Sequence, residues 1–432
     1  MGKILFWHRR DLRTEDNIGL FHALSSGHEV IPVFIFDEHI LDKLPANDKR
    51  VNLIYNELSK LQEIYMSNGS KLIVRKGDPV DLILELSEKY ACAGVYTNED
   101  YEPYARERDE SLKIKLEEQG SSFNAFKDQV IFAPGEVLKP DSKPYTVYTP
   151  FKRRWLARLE ESDYKSFPSE DNLNSLAKFK SDFPSKAQLG IEDSEVILPE
   201  LILKNIDNYE ENRNFPAVNK CSFSSVYLRF GMVSPRFLVR KAVERNETYL
   251  SELIWREFFM VILYYFPDVV ISNFRPKYDG IEWRNNEEEF KKWCAGETGY
   301  PIVDAGMREL NETGLMHNRV RMIVASFLCK HLLIDWKWGE AYFAEKLLDF
   351  ELSSNNGNWQ WAAGTGCDAS PYFRVFNPYT QTKKFDKDLI YIKKWVKDLN
   401  EFSYPQPIIE HSEARNRALE RYKEGISKYT NS

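Results

Sequence analysis

The sequence predicts a two-part chain: an α/β N-terminal domain built on a doubly wound parallel sheet, joined by a long connector to a larger all-α domain. Two observations carry this. Up to about residue 132, apolar runs of strand length alternate with segments of helical periodicity, and such alternation folds through right-handed crossovers into a parallel sheet. From about residue 201 onward only helical periodicity persists. Between them, Pro134, Pro140, Pro144 and Pro150, followed by a stretch rich in Ser, Asp, Asn and Lys, break both patterns and predict a surface connector over 133–200.

Strands are expected at Lys3 to Trp7, Glu29 to Phe36, Lys71 to Val74, Ala93 to Tyr96 and Asn124 to Phe132. The intervening helices fall near Asn17 to Ser25, Lys49 to Ser67, Pro79 to Tyr90 and Tyr104 to Gln119. No Gly-x-Gly-x-x-Gly follows the first strand and no P-loop pattern occurs, so the usual phosphate-cradling backbones are missing. In the second half, helices are expected at Ser225 to Arg245, Leu250 to Tyr265, Glu287 to Cys294, Val303 to Glu312, Asn318 to Ile334 and Gly339 to Leu348. The charged stretch Glu413 to Lys428 reads as a helix with a solvated face.

Composition narrows the classes. With 43% apolar and 29% charged residues, the chain has the balance of a soluble globular protein long enough for two or three domains. Phe258 to Phe266, the longest apolar run, is too short to span a bilayer, and the charges from His8 to Arg13 argue against a secretory leader. Cys92, Cys221, Cys294, Cys329 and Cys367 form no CxxC pair. Neither a disulfide framework nor a zinc site is indicated, and a reducing cytoplasm is expected. A net charge of −7 excludes indiscriminate coating of nucleic acid but leaves room for a local basic patch.

Four segments carry chemistry. Asp349 to Pro378 sets Trp359 and Trp361 behind an expected Asn-Asn-Gly-Asn turn at Asn355 to Asn358, with Asp349, Phe350 and Glu351 upstream and Arg374 and Asn377 downstream. Paired indoles among amides and carboxylates suit the wall of a pocket for a large aromatic ligand with polar groups. Cys221-Ser222-Phe223-Ser224-Ser225 opens an expected helix, where hydroxyls and free N–H groups can hold an anion; helix capping alone would also account for them. Glu252, Trp255 and Arg256 share one helix face, offering an acceptor, a stacking surface and a cation, as an extruded base requires. Asn318 and Met322 share a face of the next motif, with Arg319 and Arg321 turned elsewhere.

In this order, with Trp7-His8-Arg9-Arg10-Asp11-Leu12-Arg13 at the start, these segments resemble the photolyase/cryptochrome family, most closely its class I cyclobutane pyrimidine dimer photolyases. The resemblance implies an antenna domain over 1–132, a connector over 133–200 and a helical FAD-binding domain over 201–432. It implies light-driven repair of UV-damaged DNA by a cytoplasmic monomer, in which one electron passes from reduced FAD to a flipped-out dimer and returns. Glu252, Trp255, Asn318, Met322, Asn355 and Trp361 would line the lesion and flavin pocket. Tyr209, Cys221, Ser222, Phe223, Ser224, Ser225, Arg321, Asp349, Phe350, Glu351 and Asn355 would hold FAD. Trp283, Trp336 and Trp359 would carry electrons. Arg213, Glu252, Trp255, Arg256, Asn318, Arg319, Arg374 and Gln381 would contact DNA, with Lys383 and Lys384 on the phosphate rim.

Some positions depart from the family pattern or refine the expectation. Cys221, Ser224 and Glu351 stand where the family has Thr, Leu and Asp. Asn318 and Met322 replace the histidines of (6-4) enzymes, favouring cyclobutane dimers, and Asn355 favours fully reduced flavin. Folate-binding members carry a Glu where Ala105 stands, which points away from folate as a second antenna chromophore; a deazaflavin, another flavin or none stay open. The arginines near the N-terminus serve equally well to tie the sheet domain to its neighbour. A cryptochrome-type photoreceptor is the alternative function, and a dark electron-transfer flavoprotein a third.

Overall fold

Five strands form the parallel sheet: β1 Lys3–His8, β2 Glu29–Asp37, β3 Ile73–Gly77, β4 Cys92–Asn98 and β5 Ser122–Phe126, in the order β3-β2-β1-β4-β5. The computed structural model describes residues 2–218 and 220–431. Leu5 pairs with Ile31 on one side and Val95 on the other, and all three are fully buried. That is why the central strands read as continuous apolar runs, not alternating ones. Helices Ile18–Leu24, Lys49–Ser67 and Pro79–Lys89 start where Asn17, Asp48 and Asp78 accept hydrogen bonds from first-turn N–H groups.

The chain divides into two compact units. The first takes Met1–Val137, Arg154–Leu201 and Phe223–Arg245; the second takes Leu138–Arg153, Ile202–Ser222 and Asn246–Ser432. Residues 133–200 therefore contribute to both.

In the first unit, β5 ends at Phe126, not at Phe132. Its partner β4 stops at Asn98, opposite Phe126, so nothing remains to pair with. The expected helix from Ser225 to Arg245 is two helices, Ser224–Arg229 and Pro235–Arg245. Gly231 between them has φ +61°, and a Cβ there would lie 2.0 Å from the Arg10 carbonyl oxygen, so only glycine lets the chain pass.

Buried ion pairs tie this segment to the sheet. Arg13 donates to both carboxylate oxygens of Asp128 at 2.8 and 2.6 Å and to the Gly231 carbonyl at 2.9 Å. Arg236 reaches Asp128 and Asp16, each at 2.8 Å, and the Ser234 hydroxyl donates to Asp16 at 2.6 Å. Burial alone would raise the Asp128 carboxyl, but Arg13 and Arg236 outweigh it and hold the group below its ordinary value. Arg9 pairs with Asp109 and Arg10 with Asp100 and Glu102.

In the second unit, helices Pro301–Thr313, Trp336–Lys346 and Leu352–Ala363 pack around a core that includes Trp293, Tyr300, Trp336 and Trp359, and helix Glu247–Tyr265 packs against Leu352–Ala363. The helix expected from Asn318 to Ile334 runs as an α-helix only to Ser326, then widens into a π-helical turn, Phe327–Leu332, that Leu333 ends at φ +53°. The expected turn at Asn355 to Asn358 lies inside helix Leu352–Ala363. The C-terminal stretch, part of helix His411–Asn431, is not merely solvated: Ala414, Ala418 and Tyr422, four apart, form a buried stripe. The Tyr422 hydroxyl donates to the Ala363 carbonyl at 2.7 Å. Among the described residues, no helix is long and apolar enough to cross a membrane.

Candidate functional site

Helix Leu352–Ala363 is the back wall of the site, and two residues explain why it forms despite its Asn-rich start. The Glu351 carboxylate accepts from the Ser353 and Ser354 N–H groups at 3.1 and 2.9 Å and from the Ser353 hydroxyl at 2.6 Å, capping the first turn. Gly357 meets helix Glu247–Tyr265 so closely that a Cβ would sit 2.1 Å from the Phe259 ring. Local turn propensity yields to this cap and this contact.

In front of the helix lies a cleft open to solvent. Asn318, Arg321 and Met322 enter it from helix Asn318–Ser326; Asp349, Phe350, Glu351, Asn355, Trp359 and Trp361 line it from the other side. Arg321 thus shares the cleft with Asn318 and Met322, contrary to the expected face division, because its long side chain turns back toward Asp349. Its Nη2 donates to the Asp349 carboxylate oxygens at 3.0 and 2.9 Å, and its Nε to the Met316 carbonyl at 2.8 Å. Burial and the cations Arg319 and Arg321 push His317 down to about 4. Its neutral ring caps the helix by accepting from the Arg319 N–H at 3.1 Å.

Asn355 is held from behind. Its Nδ2 donates to the Glu340 carbonyl oxygen at 3.0 Å and to Glu340 Oε1 at 2.9 Å. Apolar faces, an ion pair and a fixed amide make this cleft a fit for a flavin ring, which is flat and apolar on its faces and polar at its edge. No pattern pointed to Glu340 in the sequence, because its contact spans fifteen residues.

A second cluster surrounds Trp255. Its ring stacks on Tyr148 at 3.6 Å between centroids and 9° between planes, with Phe258 edge-on at 5.6 Å. Tyr148 is pinned at both ends: its hydroxyl donates to the Ser251 carbonyl at 2.7 Å, and its backbone N–H to Asp368 at 3.0 Å. Sequence reasoning missed Tyr148, which lies in the Pro-broken stretch read as connector. Glu252 pairs with Arg213 at 2.8 Å, and Arg213 lies over the Tyr209 ring at 5.4 Å. Burial pushes the Glu252 carboxyl above its ordinary value while Arg213 pulls it down.

Cys221 accepts the Asn205 amide on its carbonyl, and the Ser222 hydroxyl lies 3.4 Å from the Tyr249 hydroxyl. Phe223, Ser224 and Ser225 belong to the first unit, where Phe223 at φ +57° starts the short helix with no side-chain cap. Trp336 donates to Asn273, and Trp283 sits edge-on to Tyr422 at 5.9 Å. The indole packed edge-on against Trp359 is Trp293, at 6.1 Å, a residue the sequence did not single out. Arg319 binds Asn214 and lies 4.5 Å over the Phe385 ring, outside the cleft lining. Arg256 lies in helix Glu247–Tyr265, Gln381, Lys383 and Lys384 in helix Pro378–Phe385, and Arg374 is exposed, its carbonyl accepting from the buried Lys330 at 2.9 Å.

Comparison with known proteins shows what the whole chain is similar to. The sequence model of a family described as DNA photolyase matches residues 4–170, and one described as the FAD binding domain of DNA photolyase matches residues 249–403. A deoxyribodipyrimidine photo-lyase of Synechococcus sp. is 38% identical, over 95% of this chain and 94% of its own. A bacterial class III photolyase from Agrobacterium tumefaciens superimposes with a TM-score of 0.90 at 33% identity, covering 99% of this chain and 98% of its own. An archaeal photolyase from Sulfolobus tokodaii, described with two FAD molecules that imply a novel light-harvesting cofactor, does so at 0.83 and 34% identity, covering 98% of this chain and 99% of its own.

Proposed function

The chain belongs to the DNA photolyase family, and from that premise we propose that it is an FAD-dependent deoxyribodipyrimidine photolyase that splits cyclobutane dimers in UV-damaged DNA under light. When bound, reduced FAD supplies the photoexcited electron that opens the dimer ring and recovers it afterwards. The chain's own residues do the rest. Arg321, paired with Asp349, and the amide of Asn355 orient the ring edge in the cleft. Phe350, Trp359 and Trp361 exclude water from its faces.

One observation carries the repair reading over light signalling alone: Asn318, Met322 and Trp361 line the same cleft as Asn355, so a neutral lesion edge and the flavin ring share one space. Asn318 and Met322 have no acidic proton to give, which suits a dimer split by electron transfer without a proton shuttle. Trp255, stiffened by Tyr148, presents an aromatic surface beside Glu252 for the extruded base. Trp283, Trp336 and Trp359 carry electrons toward the cleft, and Arg213, Arg256, Arg319, Arg374 and Gln381 meet the DNA backbone. A monomer in the cytoplasm is the working form, in keeping with five unpaired cysteines. For the second chromophore site, a deazaflavin, a further flavin or none stays open.

The test is repair of a thymine cyclobutane dimer in a short oligonucleotide by the reduced, FAD-loaded protein, in blue light and in darkness. Light-dependent loss of the dimer is expected. No loss from protein shown to carry reducible FAD would favour the cryptochrome-type photoreceptor.

Trp255→Ala is expected to weaken binding to dimer-containing DNA about tenfold and leave bound FAD intact, since stacking on an aromatic side chain contributes ~1–3 kcal/mol per base. Fluorescence titration with damaged and undamaged oligonucleotides checks this. Loss of FAD from the variant would place Trp255 in the wrong pocket.

A further inference from the structure

One buried cation lies outside the cleft lining. Lys330, 1% exposed, sits in the π-helical turn Phe327–Leu332, a distortion frequent at functional sites. Its Nζ donates to the Arg374 carbonyl at 2.9 Å, and among the described residues no carboxylate pairs with it. Burial, aided by the charge of Arg374, pushes its amine down to about 8, so it stays charged at neutral pH. Burying an ammonium against one neutral acceptor costs free energy that an apolar side chain would not. Stability therefore does not account for the charge. What the ammonium supplies is a directional hold on one point of the main chain.

That point lies in the loop 364–377, which leaves the cleft-wall helix Leu352–Ala363 and ends at helix Pro378–Phe385. The near end is fixed by the Arg275 guanidinium on the Cys367 carbonyl at 2.8 Å. It is fixed again by Asp368, which accepts from the N–H of Tyr148, the ring stacked on Trp255. Tyr372 stacks on the buried Tyr422 at 5.6 Å, and at the far end Asn377 caps the next helix. Between them Phe373 and Arg374 are exposed. The Arg374 N–H donates to the Pro371 carbonyl at 2.9 Å, and Lys330 holds the carbonyl of the same residue. Both main-chain groups of Arg374 are thus fixed while its side chain stays exposed.

We infer that Lys330 is a positioning residue for DNA binding: by holding the Arg374 carbonyl from inside the helical core, it aims the exposed Arg374 guanidinium at the phosphate backbone. This rests on the reading above, in which Arg374 meets the DNA. An arginine on a loose loop must be ordered as it binds, which weakens affinity, whereas one already fixed at its main chain is spared that loss. The signature differs from that of a residue that merely fills the core, whose exchange lowers stability and binding together. Exchanging Lys330 for an apolar side chain removes a buried charge, so stability holds or rises while DNA binding falls.

The test titrates the full-length, FAD-loaded protein with a fluorescent oligonucleotide carrying one thymine cyclobutane dimer, at several salt concentrations. Lys330→Met is expected to raise Kd about tenfold and to reduce the slope of log Kd against log salt by about one, the share of one phosphate contact. It is expected to keep its FAD and a urea midpoint no lower than the parent's. In an Arg374→Ala background, Lys330→Met is expected to change Kd by less than about twofold, since no guanidinium remains to aim. An unchanged Kd or salt slope in Lys330→Met overturns the inference. So does an equal further loss in the Arg374→Ala background, or a loss of affinity that comes with a lower urea midpoint. If Lys330→Met does not fold, Lys330→Leu carries the same comparison. A parent that does not prefer the dimer-containing oligonucleotide over an undamaged one would sink the functional reading itself; a parent that does, with variants that do not shift, would sink only the role of Lys330.

Discussion

Asp349→Ala is expected to give a folded protein that binds FAD about thirtyfold more weakly than the parent. The Asp349 side chain is 5% exposed and takes both of its bonds from Arg321, whose side chain is 26% exposed. Removing the acid leaves the guanidinium in the cleft with the Met316 carbonyl as its remaining named acceptor. Breaking a fully buried pair from one side costs ~3–5 kcal/mol; with Arg321 partly solvated the lower figure of about 2 kcal/mol is appropriate, and that is the thirtyfold. Titrating apoprotein with FAD by fluorescence, with circular dichroism as the fold control, measures it. Parental affinity in the variant would remove the Arg321–Asp349 pair from the cofactor site and with it the proposed orientation of the ring edge.

Asp128→Ala is expected to have the largest effect on stability. Asp128 is 1% exposed and is the shared acceptor of Arg13 and Arg236, both almost fully buried, so its loss takes the carboxylate partner from Arg13 and leaves Arg236 with Asp16 alone. A loss of ~3–5 kcal/mol is expected, read as a lower urea midpoint with little change in slope. The pH dependence follows from the direction of its shift. The folded-state carboxyl lies below the unfolded value near 3.8, so its stabilisation is complete above that pH and disappears as pH falls through the depressed folded value. The parent should therefore lose stability on acidification below about pH 4, and the variant should lack that component. A variant as stable as the parent would mean that Arg13 and Arg236 find water or other acceptors.

Both effects concern residues whose importance shows unequally in the sequence. Arg321 and Asp349 stood out because they lie in motifs with family counterparts. Asp128 did not, since a lone acid after an apolar run carries no pattern, and the expected strand ran through it to Phe132. The length of β5 is set by where β4 ends, which no residue of β5 encodes. The Asn-Asn-Gly-Asn stretch shows the same limit from the other side. Each of its residues favours a turn by local chemistry, yet Glu351 caps a helix there and Gly357 is the close-approach point against Phe259. The C-terminal helix was readable as a helix, but its buried stripe of Ala414, Ala418 and Tyr422 looks weakly apolar until Tyr278, Ile281 and Leu333 are seen to pack with Ala418 and Tyr422.

What the sequence by itself determined was the local and periodic part of this protein: five apolar runs as strands, the helical second half, and the motif residues Asn318, Met322, Arg321, Asp349, Asn355 and Trp361. Period-2 and period-3.6 burial is written into neighbouring residues, and a matching motif keeps its spacing along the chain. Only the tertiary structure decided which of those residues share one cleft, that Tyr148 backs Trp255, and that Glu340 accepts from the Asn355 amide. These are contacts between residues far apart in sequence, made by long-range packing, and a single chain carries no local signal of which distant partner will arrive.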